Sequence, residues 1–156
     1  MTNSSQLIQD LGLLPHPEGG YYSEIYRSET NVSFNGKNRA ALTTIYFLLE
    51  KEQISRWHLV DADEAWHFYE GAPLELFMMS PDFTQLQKIT LGKVSANSQP
   101  VHVIPAGWWQ AAKSSGEFSL CGCTVAPGFE FAGFRFVRED EKDAVSELHP
   151  LLDYLL

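Results

Sequence analysis

The chain has 156 residues, of which 44% are hydrophobic and 13% aromatic, so it is long and apolar enough to fold as one domain around its own core. Eleven Lys and Arg residues against twenty Asp and Glu residues give a net charge of −9, which argues against binding to duplex nucleic acid or to an anionic membrane. No apolar run approaches the roughly 18 residues of a membrane span, and the polar start lacks a signal pattern, so we expect a cytoplasmic protein.

Helical spacing of apolar residues is confined to the two ends of the chain. Residues 4–12 combine a serine N-cap with apolar positions at helical spacing, and Gly12 provides a stop signal, so we expect a short helix there. Helical spacing returns near the C-terminus and predicts a second helix over about residues 143–155. The acidic residues just before it, 139–143, are expected to form a solvated linker with charges that favour a helix start.

Between these ends, apolar residues alternate with a period of two, and turn residues interrupt them at intervals of roughly ten residues. This pattern predicts an all-β fold, an antiparallel sandwich or barrel with short terminal helices. We expect one domain, residues 1–156, with its barrel core at about 21–138. The predicted strands are 21–28, 41–49, 54–59, 65–69, 74–79, 86–91, 101–104, 108–112, 118–125 and 131–137.

The first predicted strand carries an unusual number of polar and aromatic side chains. Tyr22, Glu24, Tyr26 and Arg27 face either the mouth of the barrel or a partner subunit, depending on the register of the strand. Just before it, His16 and Glu18 lie in a glycine-rich segment with strong turn chemistry. We interpret that segment as a turn, with a lid over the barrel as the alternative.

Two later segments have the spacing of a known signature. His58, Glu64 and Gly71 lie in the first segment, and Pro105 and Gly107 lie in the second, about forty residues later. These positions resemble the two halves of the cupin signature, in which inward-facing residues of adjacent hairpins meet near one mouth of a β-barrel. The resemblance implies a cupin-type antiparallel β-barrel or jelly roll.

The sequence departs from that signature at three positions. Val60 takes the place of the second histidine, Gln110 that of the last histidine, and Gln99 that of a glycine. The metal site implied by the resemblance is therefore reduced to His58, Glu64 and Gln110, and glutamine is a weak neutral ligand. We expect that no cofactor is required; a divalent metal at these three residues is the less favoured alternative.

Several other segments support a closer resemblance, one that covers nearly the whole chain. The sequence resembles the small single-domain cupins of the RmlC-like superfamily long catalogued as a domain of unknown function, in which valine and glutamine at these two positions are usual. The resemblance implies a homodimer and leaves the activity open. The segments that carry it are 13–22, 26–28, 57–71, 105–110 and 125–129.

Three residues are the strongest candidates for a functional site. We expect His58 as a base, Glu64 as its electrostatic partner or as an acid, and Gln110 as a hydrogen-bonding group that holds a carbonyl. Such a set suits an epimerase or isomerase acting on a sugar-like or carbonyl-containing metabolite. The alternative is a non-catalytic small-molecule-binding or storage-type cupin, in which the same residues form a ligand pocket or a structural network.

Four further residues are candidate ligand contacts. Trp57 could form an aromatic wall, although such a residue is more often part of the core or of a dimer interface, and His67 would need a bulge to share the face of Glu64. Arg27 could stabilise an enolate-like charge, as could Arg56. The four residues are Tyr26, Arg27, Trp57 and His67.

Overall fold

The computed structural model describes residues 3–156, which form an antiparallel β-barrel made of two sheets with a shared core. The prediction of an all-β barrel with short terminal helices is confirmed. The strands in this part of the chain are β1 (Leu14–Pro15), β2 (Tyr21–Arg27), β3 (Asn31–Phe34), β4 (Lys37–Ala40), β5 (Thr43–Glu50), β6 (Ile54–Val60), β7 (Asp63–Gly71), β8 (Leu74–Met79), β9 (Leu86–Leu91), β10 (Val101–Ile104), β11 (Trp109–Ser114), β12 (Phe118–Ala126) and β13 (Phe134–Phe136).

The larger sheet has the order β1–β2–β5–β12–β7–β10, and the smaller sheet has the order β13–β6–β11–β8–β9. Strands β3 and β4 form a separate hairpin. Apolar side chains alternate inward from both sheets, as the period of two requires. Phe47 and Trp66 of the larger sheet therefore share one buried cluster with Leu76 and Met78 of the smaller sheet.

The terminal helices differ in detail from the expectation. Helix α1 (Ser4–Asp10) is capped by the side chain of Asn3, which accepts a hydrogen bond from the Gln6 amide, and not by a serine. Helix α2 (Glu139–Leu148) begins four residues before the predicted position, because Glu139, Asp140 and Glu141 stabilise its first turn instead of forming a linker.

Two segments near the C-terminus contain 3₁₀ turns where the spacing of apolar residues predicted a continuous helix and a continuous strand. Pro150 cannot continue helix α2, so the chain passes into a 3₁₀ helix (Pro150–Leu155). The predicted strand 131–137 is in fact a 3₁₀ turn (Phe131–Gly133) followed by the three-residue strand β13. In the described residues, no helix has the length and apolar character needed to cross a membrane.

The register of the strands brings the candidate site residues together at one end of the barrel. His58 of β6 pairs with Gln110 of β11, so both belong to the smaller sheet. Glu64, at the start of β7, belongs to the larger sheet. A bulge in β2 between Glu24 and Tyr26 changes the alternation, so that Arg27 is brought to the inner face while Tyr26 is turned outward and is 54% exposed.

Candidate functional site

A cavity of about 240 Å³ lies between the two sheets at one end of the barrel. Its lining combines four glutamates, two histidines and one arginine with a wall of aromatic rings. This mixture of apolar surface and a few polar groups is typical of small-molecule sites. The lining residues that matter below are His16, Glu18, Tyr22, Glu24, Arg27, His58, Glu64, Phe129, Glu130, Phe131 and Phe134.

His58 and Glu18 form a buried ion pair in this cavity. The Nε2 of His58 is 2.8 Å from Oε2 of Glu18, and its Nδ1 donates to the carbonyl oxygen of Arg56 at 2.6 Å. Burial lowers the pKa of His58, but the Glu18 charge and hydrogen bond raise it on balance. Burial likewise raises the pKa of Glu18, and His58 lowers it on balance. Both ring nitrogens of His58 therefore act as donors, so the ring is protonated on both nitrogens and positively charged.

Glu64 lies beside this pair but is hydrogen-bonded to a neutral amide and not paired with a cation. Its Oε2 accepts a hydrogen bond from Nε2 of Gln110 at 2.6 Å, and Oε1 of Gln110 accepts one from the indole of Trp66 at 2.7 Å. Because the indole can only donate, it fixes the orientation of the Gln110 amide. Burial, followed by the charge of Glu18, raises the pKa of Glu64 to about 7. Glu64 thus changes its charge near neutral pH.

Glu18 enters the cavity because its loop is fixed against strand β6. The Arg56 amide donates to the carbonyl oxygen of Glu18 at 2.9 Å. The next residue, Gly19, has a φ of 110°, and a Cβ atom there would lie 1.9 Å from the carbonyl oxygen of Ile54. Only glycine allows this conformation at this approach, so the loop can cross β6 closely enough to bury the carboxylate.

His16 comes from the same loop and is held in one neutral form. Its Nδ1 accepts a hydrogen bond from the Glu18 amide at 3.1 Å, so the proton of the neutral ring is on Nε2. Burial is the largest cause of a lowered pKa for His16 and outweighs the charge of Glu18. Its ring packs edge-on against Tyr22 at 4.5 Å. Within residues 3–156, no side chain or carbonyl accepts a hydrogen bond from Nε2.

The structure brings together some of the residues singled out from the sequence and separates others. His58, Glu64 and Gln110 converge, and Arg27 lies at the rim of the cavity. Tyr26 and His67 point away from the cavity, on the outer face of the larger sheet, and β7 has no bulge between Glu64 and His67.

Trp57 lies on the far side of the smaller sheet from the cavity. It is 1% exposed and packs in a second apolar cluster, where Phe77 is its neighbour at 6.4 Å. Trp57 therefore belongs to the core and does not form a wall of the cavity. Of the first predicted strand, Tyr22, Glu24 and Arg27 line the cavity.

Besides residues of the segment 129–134 at the rim, His16 and Glu18 are cavity residues that were not assigned to the site from the sequence. Their segment was interpreted as a turn or a lid, and it is a turn whose side chains point into the barrel. The signal was present in the pair Gly19-Gly20, because two consecutive glycines directly after an acidic residue are typical of a backbone that must approach another strand closely.

The three residues left from the cupin metal signature do not form a ligand set in this arrangement. His58 uses both nitrogens as donors, to Glu18 and Arg56. Gln110 presents its amide nitrogen, not its oxygen, to Glu64. Among the described residues, no group of three or more His, Cys, Asp or Glu side chains has the geometry to hold a metal ion.

Comparison with known proteins assigns the chain to a family. A family model described as "Cupin superfamily (DUF985)" matches residues 5–137. The solved structure of protein SO0799 from Shewanella oneidensis is 34% identical, with a TM-score of 0.85 over 99% of this chain and 95% of its own. A hypothetical protein from Leishmania major is 30% identical, with a TM-score of 0.87 over 99% and 96%.

Two further similarities are weaker. The uncharacterized protein YML079W of Saccharomyces cerevisiae is 30% identical over 87% of this chain and 76% of its own length. A dTDP sugar isomerase from Desulfovibrio desulfuricans G20 has a TM-score of 0.53 at 8% identity, over 76% of this chain and 85% of that one. The last similarity concerns the fold alone.

Proposed function

Since this chain belongs to the cupin superfamily, in the family described as DUF985, we propose that its barrel binds a small molecule and catalyses proton transfer on it. The reaction class is that of an epimerase or isomerase, and the substrate class is a sugar-like or carbonyl-containing metabolite. The observation that supports this proposal is Glu64, a carboxyl group in the cavity with a pKa of about 7. Such a group can both accept and return a proton near neutral pH.

Glu64 replaces His58 as the proposed base. His58 was the base expected from the sequence, but its two nitrogens already donate to Glu18 and Arg56. In the proposed reaction, Glu64 removes a proton from the carbon next to the carbonyl, and the electron pair of that C–H bond moves onto the carbonyl oxygen. Isomerisation follows when Glu64 returns the proton to the former carbonyl carbon and the hydroxyl proton of the first carbon passes to the former carbonyl oxygen. Epimerisation follows when a proton from solvent is delivered instead to the opposite face of the first carbon. His58 supplies the positive charge that keeps Glu64 from becoming more basic. Gln110 then holds the Glu64 carboxyl in place and does not contact the substrate.

His16 is the proposed donor to the substrate oxygen. Removing a proton beside a carbonyl places negative charge on the carbonyl oxygen, and a fixed donor there lowers the barrier. The Nε2–H of His16 suits this role because the Glu18 amide fixes the tautomer and burial keeps the ring neutral. A neutral imidazole donates a hydrogen bond without transferring its proton to the product.

The proposal is tested by hydrogen exchange into a substrate. We would incubate the protein with a panel of neutral and amino-substituted aldoses and ketoses in D₂O and follow loss of the C–H signal next to the carbonyl by proton NMR. Exchange should occur with the natural sequence and fall by about 10²–10⁴-fold in Glu64→Gln. Glu147→Gln, which removes one exposed carboxylate on helix α2, is the matched control and should retain the rate. Equal exchange by Glu64→Gln would contradict the assignment of the base.

A non-catalytic binding cupin is the second candidate, and one observation favours it. Glu18, His58, Glu64 and Gln110 satisfy one another with hydrogen bonds and charge, so this layer is stable without a substrate. A barrel that only binds or stores a ligand needs no more than that. Ligand binding without any exchange in the panel, in both the natural sequence and Glu64→Gln, would favour this second function.

A further inference from the structure

We infer that the ligand of this cavity carries a cationic ammonium group and no phosphate or carboxylate. The inference rests on the proposed small-molecule binding and names the chemical class that the cavity would select. It depends on how the charges of the lining are arranged and on the aromatic rings beside them.

The charges of the lining leave acidic groups in excess. Glu18, Glu24, Glu64 and Glu130 face two cationic side chains, Arg27 and His58. The His58 charge is used by Glu18, at 2.8 Å. Among the lining residues of the described chain, Arg27 is then the remaining cationic side chain that could attract an anion.

Arg27 is itself already neutralised at the rim. Its Nη2 lies 2.7 Å from Oε1 of Glu24 and donates to the carbonyl oxygen of Phe129 at 3.1 Å, and its Nη1 lies 3.4 Å from Oε1 of Glu130. A phosphate or carboxylate approaching Arg27 would have to displace these groups and remain close to two carboxylates. Because two carboxylates outweigh one guanidinium, the rim keeps a net negative charge, which attracts an ammonium group.

The aromatic wall completes a site for a cation. Phe129, Phe131 and Phe134 pack at centroid distances of 5.0 to 6.2 Å, with interplanar angles of 70 to 82°. One face of Phe134 is stacked on the His58 ring at 5.2 Å, and Phe131, which is 53% exposed, is the ring of this wall most open to a ligand. Ring faces beside carboxylates attract ammonium groups and give no comparable attraction to anions.

The test uses three probes of nearly the same shape that differ in charge. Choline is cationic, 3,3-dimethylbutan-1-ol is its neutral isostere, and 3,3-dimethylbutanoate is the anionic member. Isothermal titration calorimetry on the whole protein should give the tightest binding for choline, about tenfold tighter than for the neutral alcohol, with the carboxylate weakest. Weaker or equal binding of choline relative to the alcohol, or no binding of choline, would overturn the inference.

A double variant identifies the residues responsible. Glu24→Gln with Glu130→Gln keeps the shape of the rim and frees the charge of Arg27. Its preference for choline over the alcohol should fall by about fivefold or more, and 3,3-dimethylbutanoate should bind more tightly than it does to the natural sequence. Glu147→Gln is the control and should keep the natural order. An unchanged ratio of choline affinity to alcohol affinity in the double variant would also overturn the inference.

Failure of this inference and failure of the proposed reaction are distinguishable. Proton exchange that depends on Glu64 but occurs in a protein without preference for choline would leave the reaction standing and remove the ammonium ligand. Preference for choline without exchange on any carbonyl compound would leave the ligand class standing and favour the binding function.

Discussion

Among single residues, Glu64 has the most direct effect on how stability depends on pH. Its pKa in the folded protein is about 7, against an ordinary value of 4.5, so the folded state holds a proton that the unfolded chain releases. The contribution of Glu64 to stability is fully present below about pH 4.5 and is lost as the pH rises through about 7. Above that pH, the carboxylate is charged and buried.

Replacing Glu64 by glutamine should therefore stabilise the protein in alkaline solution. We expect Glu64→Gln to raise the free energy of unfolding by about 2–3 kcal/mol at about pH 8, and by much less at about pH 4.5. Urea denaturation at both pH values measures the difference. A variant with the same loss or gain at both values would show that Glu64 titrates normally.

The Glu18–His58 pair predicts the opposite type of pH profile. The pKa of Glu18 is lowered, so its contribution is lost as the pH falls through the folded value; the pKa of His58 is raised, so its contribution is lost as the pH rises through the folded value. The pair is fully effective between the unfolded values of 4.5 and 6.5.

We expect Glu18→Gln to lower the free energy of unfolding by about 3 kcal/mol inside that window, because it leaves His58 buried without a counter-charge. The loss should shrink at more alkaline pH, where His58 is neutral in both states. Thermal unfolding across the pH range measures this, with Glu147→Gln as the exposed control. A loss that does not vary with pH would mean that the two side chains are not a charged pair.

Among the site residues, the sequence was informative about three and left the direction of two others open. The resemblance to the cupin signature implied that His58, Glu64 and Gln110 would converge, and their positions on β6, β7 and β11 bring them to one end of the barrel. His16 and Glu18 lie in a loop, where no periodicity fixes the direction of a side chain. Their position follows from contacts with β6 that are distant in sequence.

Among the elements, the loop before β2 has the strongest influence on the site. Gly19 and Gly12 both have positive φ values, 110° and 60°, but only Gly19 lies against another strand; a Cβ at Gly12 would meet nothing within 4 Å. Comparing alanine substitutions at these two positions therefore separates the effect of backbone strain from the effect of steric contact.

Gly19→Ala should displace the loop from β6 and move Glu18 and His16 out of the cavity. We expect it to lower the free energy of unfolding by about 2–4 kcal/mol, whereas Gly12→Ala should cost only about 1 kcal/mol. It should also remove the pH window that depends on Glu18 and His58. Thermal unfolding at several pH values measures both effects, and similar losses for the two variants would contradict the role of the contact with Ile54.

Element boundaries were predictable where period and turn residues agreed, and failed where local contacts decided. Strand β2 begins at its expected residue and ends one residue earlier than expected, but its bulge after Glu24 reverses the face of Tyr26, and alternation alone cannot show an inserted residue. Residues 131–137 read as one strand, yet residues 131–133 form a 3₁₀ turn, so only Phe134–Phe136 pair with β6. Helix α2 was placed too late because its acidic first turn resembles a solvated linker.

For the whole molecule, the outer face of the larger sheet carries the remaining prediction, which is a homodimer. Strand β10 is an edge strand, and Val101 and Val103 on it are 43% and 50% exposed. Tyr69, on the outer face of neighbouring β7, is also 50% exposed. An edge with exposed apolar residues is covered most simply by the same edge of a second copy across a two-fold axis.

Val103→Asp should therefore convert a dimer to a monomer, because it places a charge in the contact between the two copies. Val94→Asp is the control; Val94 is 81% exposed in the loop between β9 and β10, and its variant should stay dimeric. Sedimentation equilibrium at micromolar concentration measures both, with 17.6 kDa as the mass of one chain. A single-chain mass for the natural sequence would contradict the dimer. If the Val103→Asp protein remains dimeric, the contact between the copies lies on another surface, because a buried unpaired carboxylate at this edge would cost roughly 3–5 kcal/mol.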